Sequence, residues 1–129
     1  MIEVTCAVII EEGRLLCAQR NEMDKHSLKW ELPGGKVEVG ESHAECLQRE
    51  LREELDVVVE VNQQLSVNVH QYEHLSLRLI PFRCSILAGT PKPRVHQQLR
   101  WIALDHLLEL DWAEADIPII KRLITDRLS

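Results

Sequence analysis

The 129-residue chain lacks several features that would assign it to a specialised class. Its longest apolar runs, Ala7 to Ile10 and Ile117 to Ile120, fall far short of the ~20 residues that span a bilayer, so no membrane partner is expected. The opening Met1-Ile2-Glu3-Val4-Thr5 has no basic segment, and Glu11 and Glu12 interrupt the apolar stretch, so an export signal is not expected. Basic charge is in deficit. The 15 Lys and Arg against 21 Asp and Glu give a formal net charge of −6, which argues against a nucleic-acid polymer as partner. A small polyanion stays open if a cation mediates the contact. Cys6, Cys17, Cys46 and Cys84 form no C-x-x-C pair and the histidines do not cluster, which disfavours zinc and a disulfide framework and points to the cytoplasm. Repeats, low-complexity tracts and linkers are likewise missing.

What remains is an ordinary globular mix, 45% hydrophobic and 28% charged, of a length that suits one domain over 1–129. Val- and Ile-rich Ile2 to Ile10 and the segment Arg14 to Gln19, joined by a Glu-Glu-Gly turn, predict a hairpin. Asn21 to Lys29 reads as loop, and Pro33-Gly34-Gly35 as a stop to regular structure. Ser42 to Leu55 predicts a helix that opens with a capping box of Ser42 and Glu45. Val57 to Val61, Gln64 to His70, Leu75 to Ile80, Phe82 to Leu87 and Leu99 to Leu104 read as strands. Asp105 is expected to cap a short helix through Glu109. A last helix from near Asp116 carries Ile117, Ile120, Ile124 and Leu128 on one stripe. The fold class is α/β, a mixed sheet sandwiched between helices.

The chemistry is concentrated between Pro33 and Val57. At about 100° per residue, with Glu50 at zero, Glu53 falls near −60° and Glu54 near +40°, whereas Leu47, Leu51 and Leu55 occupy roughly +60° to +140°. The leucines would dock the helix and hold the glutamates at the edge of the contact. A solvated acidic face partnered by Arg49 and Arg52 is the alternative. Against it, the glutamates border the apolar stripe, and a Gly34-Gly35 turn lies directly upstream, followed by Lys36, Glu38 and Glu41. Clustered oxygen donors suit hard cations such as Mg²⁺ or Mn²⁺, and a glycine pair lets a backbone carbonyl approach the same ion. Arg20, Lys25, Lys29 and Lys36 flank the glycines and are candidates for phosphate oxygens.

Gly35-x5-Glu41-x7-Arg49-Glu50-Leu51-x-Glu53-Glu54-x-Asp56-Val57 resembles the Nudix box, G-x5-E-x7-R-E-U-x-E-E-x-G-U with U aliphatic. The one departure is Asp56 in place of glycine, just past the helix end where a left-handed conformation is usual. Trp30-Glu31-Leu32-Pro33-Gly34-Gly35-Lys36-Val37-Glu38 is similar to the W-E-F-P-G-G-K-x-E run of the MutT-like branch, and Ala115-Asp116-Ile117-Pro118 resembles its base-contacting segment. The resemblance implies the Nudix fold and a Mg²⁺-dependent pyrophosphohydrolase that cuts a nucleoside triphosphate to monophosphate and pyrophosphate, as monomer or homodimer. It implies that Gly34, Glu50, Glu53 and Glu54 hold metal, with Glu50 as ligand or base. Arg49 would orient the carboxylates, Glu41 would support the loop or a further ion, and Gly35 would be structural. Arg20, Lys36, Leu32 and Asp116 would contact substrate.

A second departure concerns the loop before the last strand. Relatives often carry a glutamate there; the matching position is Val95, followed by His96, so the general base is left open. Asp116 stands where enzymes acting on 8-oxo-dGTP commonly have asparagine. An ionised aspartate only accepts hydrogen bonds, which suits the exocyclic amino group of cytosine. The A-D-I-P form resembles CTP and 5-methyl-dCTP pyrophosphohydrolases, and helix capping by Asp116 is the alternative. Leu32 and Trp112 are candidates to flank the base. Competing functions are hydrolysis of ADP-ribose or a sugar nucleotide, and a sensing module without catalysis.

Overall fold

The computed structural model describes residues 1–128, with side chains through Asp126. Among the described residues nine strands form two sheets. β1 (Ile2–Val8), β5 (Gly34–Lys36), β6 (Val58–Gln64), β7 (Asn68–Tyr72) and β8 (Leu75–Ala88) make the first, in the order β5-β1-β8-β6, with β7 also paired to β8. β2 (Ile10–Glu11), β3 (Arg14–Gln19), β4 (Trp30–Glu31) and β9 (Gln98–Ala103) make the second. β1 and β8 run parallel and the other pairs antiparallel, so the β structure is mixed, as expected.

Alternation along β1 shows why helices cover both faces. Cys6 and Val8 join Leu15, Cys17, Ile119 and Ile120 in one core, on the side of helix α2 (Ile117–Leu128). Ala7 and Ile9 join Leu16, Ile80 and Leu47, Leu51 and Leu55 in the other, on the side of helix α1 (His43–Leu55). Successive strand residues point to opposite faces, so one strand feeds two cores. Ile117, Ile120 and Ile124 of the expected stripe meet the core, together with Ile119 and Leu123; the side chain of Leu128 lies outside the described residues. No helix among the described residues is long and apolar enough to cross a membrane.

Four expectations are corrected. Ile2 to Ile10 is not a single hairpin arm. Only Ile10 and Glu11 pair with β3, across a two-residue turn in which Glu12 (φ 52) and Gly13 (φ 75) adopt the left-handed values a tight hairpin needs. The chain changes sheets at Ile9, whose carbonyl accepts from the Leu16 N–H at 3.0 Å. The glycines do not stop regular structure. Gly34 pairs with Cys6 and Gly35 with Thr5, and a Cβ on Gly34 would lie 2.1 Å from the Thr5 carbonyl oxygen. Leu75 to Ile80 and Phe82 to Leu87 are one strand through Pro81. The Pro81 carbonyl accepts from Leu65 N–H, and a strand residue's N and O point the same way. The missing N–H therefore faces the gap between β6 and β7, where the ladder does not need it. Finally, Asp105 is not a cap. A 3-10 helix spans Leu104–Glu109, with Ala103 at its N-cap making no side-chain bond. Leu104 and Leu107, three apart and eclipsed in this geometry, turn inward and set that register.

Candidate active site

α1 is the platform of the site. Ser42 Oγ accepts from Glu45 N–H and the Glu45 carboxylate accepts from Ser42 N–H, so the capping box forms in full. At the other end Asp56 adopts the left-handed conformation (φ 58, ψ 41), and its N–H donates to the Arg52 carbonyl. Lys92 and Arg94 approach its carboxylate at 3.5 and 3.9 Å. Leu47, Leu51 and Leu55 are fully buried. That anchoring, roughly 2 kcal/mol per leucine, exceeds the few tenths of a kcal/mol by which exposed like charges oppose a helix. The helix can therefore carry its glutamates.

Arg49 ties the carboxylates together. Its Nε and one terminal nitrogen donate to both oxygens of Glu41 at 2.6 and 2.9 Å. The other terminal nitrogen donates to Glu50 at 2.9 Å and to Glu53 at 3.4 Å. This fork and the Glu38 N–H hold the Glu41 carboxyl down at about 2. Glu50 lies against Gly35 so closely that a Cβ there would sit 2.3 Å from the Glu50 carboxyl carbon. The second glycine is thus a requirement of the glutamate's position.

Glu54 is different. It makes no ion pair with Arg49; its Oε1 is buried and has no hydrogen-bond partner. Burial, followed by the charges of Glu50 and Glu31, pushes its carboxyl up to about 8. An orphaned carboxylate oxygen beside other acidic groups suits an arriving cation. Among the described residues no three His, Cys, Asp or Glu side chains converge on one point. Arg49 engages Glu50 and Glu53 while Glu54 turns inward, as mutual repulsion and the guanidinium fork dictate.

Next to this cluster opens a cavity of about 440 Å³, whose lining includes Gly34, Gly35 and Glu54 together with Leu32, Tyr72 and Asp116. The isolated bridge between Trp30 and Trp112, with Trp30 N–H to Asp111 O and Ala113 N–H to Trp30 O, carries the Asp116 segment alongside β4. Asp116 is buried, and its Oδ2 accepts from Leu32 N–H at 2.8 Å, 84 residues away in sequence. Burial pushes its carboxyl up to about 7.

Arg20, Leu32, Gly34, Gly35, Glu54 and Asp116 thus share one cavity, whereas Glu41, Arg49, Glu50 and Glu53 stand outside its lining in one ion-pair network. Lys36 is exposed on β5 and does not line the cavity. Lys25 does line it, and Lys29 is engaged by Asp111 at 2.7 Å. Trp112 is corrected from base-flanking candidate to core residue: it is buried, and its indole N–H donates to Leu107 O at 2.7 Å. Tyr72 and His26 line the cavity instead, with ring centroids 5.1 Å apart.

Glu31 received no role from the sequence. It faces the cavity, with Oε1 2.8 Å from Arg20 and Oε2 3.0 Å from His96. The available signal was period two: Trp30 is a core residue, so its neighbour on the strand must face the other way.

The NUDIX domain family matches residues 1–123. The CTP pyrophosphohydrolase of Escherichia coli (strain K12) is 34% identical over 127 residues, covering 98% of this chain and 94% of that protein. The 8-oxo-dGTP diphosphatase of Haemophilus influenzae is 28% identical, covering 98% and 93%. The solution structure of MutT from methicillin-resistant Staphylococcus aureus 252 superposes with a TM-score of 0.77 at 35% identity, covering 97% of this chain and 96% of that one. On the match of the family over nearly its whole length, and with relatives of this kind, the chain belongs to the Nudix hydrolase family, in its MutT-like branch.

Proposed function

We propose that this chain, working as one domain, hydrolyses nucleoside triphosphates to monophosphate and pyrophosphate with Mg²⁺, Mn²⁺ being able to substitute. The observation that carries the reading is the buried, unpartnered Glu54 oxygen, on the helical turn of Glu50 and Glu53, in a residue that shares the cavity lining with Gly34 and Gly35. A chain of net charge −6 binds a polyphosphate at an acidic site only when cations lie between them. Glu50, Glu53, Glu54 and the Gly34 carbonyl would hold the ion. When bound, it lowers the pKa of water and neutralises phosphate oxygens. Arg49 keeps Glu50 and Glu53 oriented through the bonds described, with Glu41 as its anchor and Gly35 giving Glu50 room. Arg20 and Lys25 supply positive charge along the cavity, with Lys36 at its margin, and positioning with electrostatics supplies most of the rate.

For the base, Asp116 uses one oxygen on Leu32 N–H and leaves its other oxygen for a ligand donor, beside Leu32. A cytosine amino group supplies that donor, as in CTP or 5-methyl-dCTP, and similarity to a CTP pyrophosphohydrolase supports this choice. A second reading, an oxidised purine such as 8-oxo-dGTP, is favoured by the diphosphatase relatives and by N–H groups that the same carboxylate would accept. The substrate is a free nucleotide, met in the cytoplasm by a monomer or homodimer. The four unpaired, buried thiols suit a reducing compartment.

The test is a panel of CTP, dCTP, 5-methyl-dCTP, dGTP, 8-oxo-dGTP and ADP-ribose with Mg²⁺, the products resolved by ion exchange. Pyrophosphate with monophosphate is the expected outcome. Orthophosphate as the product, or turnover of ADP-ribose alone, would overturn the reading.

A further inference from the structure

Behind the glycine strand lies a polar contact that neither the ladder nor the leucine stripe requires. β5 is only 3 residues long and sits at the edge of its sheet, against β1. Val37 N–H donates to Glu3 O at 3.0 Å and Ala7 N–H to Pro33 O at 2.8 Å, on either side of the Thr5 and Gly35 pair. Hydrogen-bonded pairs recur every second residue in an antiparallel ladder. Gly35 therefore turns its backbone groups toward Thr5, and Gly34 turns its carbonyl off the open edge, away from β1.

Thr5 is fully buried, and alternation places its side chain with Ala7 and Ile9 on the α1 side of β1. Its hydroxyl donates to Gly35 O at 3.3 Å and lies 3.2 Å from Cys46 Sγ. Cys46 is also fully buried, and its thiol donates to Gly35 O and Lys36 O, each at 3.5 Å. Burial pushes this thiol up, so it keeps the hydrogen it donates. Cys46 and Glu50 are four apart on α1 and share a face. The thiol thus grips β5 one turn before Glu50 meets Gly35, where a Cβ would lie 2.3 Å from the Glu50 carboxyl carbon. The surrounding core is apolar, with Ala7, Leu47 and Ile80. A hydroxyl and a thiol buried there cost desolvation that an apolar pair avoids. In return, directional bonds fix the short strand against the helix.

We propose that Thr5, with Cys46, is a positioning residue for the divalent ion: the pair pins β5 to α1 and so sets the Gly34 carbonyl against the glutamates of that helix. The inference rests on the pyrophosphohydrolase reading above. Neither side chain is a ligand; each acts through the strand. Thr5 and Cys46 received no role from the sequence, because their junction spans 41 residues.

The test uses the full chain and Mn²⁺ alone, with uptake followed by electron paramagnetic resonance and the thermal midpoint measured without metal. Thr5→Val keeps the branched shape and removes the hydroxyl. It should weaken Mn²⁺ uptake by roughly tenfold and, with Mg²⁺ and the best nucleotide of the panel, lower kcat by about tenfold. KM for the nucleotide should stay within roughly threefold. Thr5→Ser restores the hydroxyl and should bring uptake back to within about threefold of wild type. Cys46→Ala should weaken uptake in the same direction, and it decides the matter if Thr5→Val does not fold. Wild-type uptake by Thr5→Val, or by Cys46→Ala in its place, would overturn the inference, even with a lowered thermal midpoint. So would a Thr5→Ser protein as impaired as Thr5→Val. A wild type that takes up no Mn²⁺ or cleaves no triphosphate would instead overturn the underlying reading, so the two failures are distinguishable.

Discussion

Asp116→Asn separates the electrostatics of the cavity from its chemistry. The Asp116 carboxyl is buried in the cavity lining and pushed up from 3.8 to about 7, burial being the main cause, while Leu32 N–H opposes the shift. A carboxyl raised in the folded state holds its proton while the unfolded chain has released it. Its contribution to stability is therefore fully present below 3.8 and is lost as pH rises toward 7. Asparagine does not titrate, and its amide oxygen can still accept from Leu32 N–H. Linkage then predicts that the stability of Asp116→Asn relative to wild type rises by roughly 2–3 kcal/mol between about pH 5 and about pH 8. Urea unfolding of the metal-free proteins across that range, followed by tryptophan fluorescence, measures it. The same variant replaces an acceptor with a donor where the base would sit. Discrimination of CTP from an oxidised purine nucleotide should therefore shift by roughly 10- to 100-fold in kcat/KM. Stability curves that run parallel in pH would refute the burial argument, and unchanged discrimination would refute base reading by this carboxylate.

Other perturbations act on single contacts. Gly35→Ala places a Cβ against Glu50, so turnover should fall by an order of magnitude or more, to about a tenth, with circular dichroism unchanged. Gly34→Ala meets the rigid Thr5 backbone instead and should appear as lost stability, on the order of 3 kcal/mol. Glu41→Gln should flatten the acid limb of the unfolding curve. Wild type loses stability as pH falls from about 4.5 toward 2, where Glu41 finally takes up a proton. Asp56→Gly relieves the left-handed strain of about 1 kcal/mol and loses two exposed contacts to Lys92 and Arg94 worth little. A small rise in thermal midpoint is expected.

The carboxylate arc, the capping box and the left-handed residue at Asp56 were legible in sequence because each is set by local geometry over one or two turns. The leucine stripe was legible for the same reason, and it fixed which side of α1 faces the core. Local signals do not report which strand a segment pairs with. The change of sheet at Ile9, the pairing of the glycines with β1 and the continuity of β8 through Pro81 depend on partners up to seventy-five residues away. The site divides in the same way. Glu50, Glu53, Glu54 and Arg49 came from one helix and one motif, whereas the junction of Glu31 with His96 spans 65 residues and that of Asp116 with Leu32 spans 84. Trp112 was only a candidate to flank the base, and the structure commits its indole N–H to Leu107, a contact no local signal announces.

The central claim is that the acidic turn of α1 binds a divalent ion through Glu53 and the inward-facing Glu54. Manganese binding to the full chain, followed by electron paramagnetic resonance, tests it without any assumption about substrate. Wild type should take up Mn²⁺, and Mg²⁺ should displace it. Glu53→Gln and Glu54→Gln should weaken uptake by roughly 10- to 100-fold while keeping the fold. Uptake by both variants equal to that of wild type would contradict the claim.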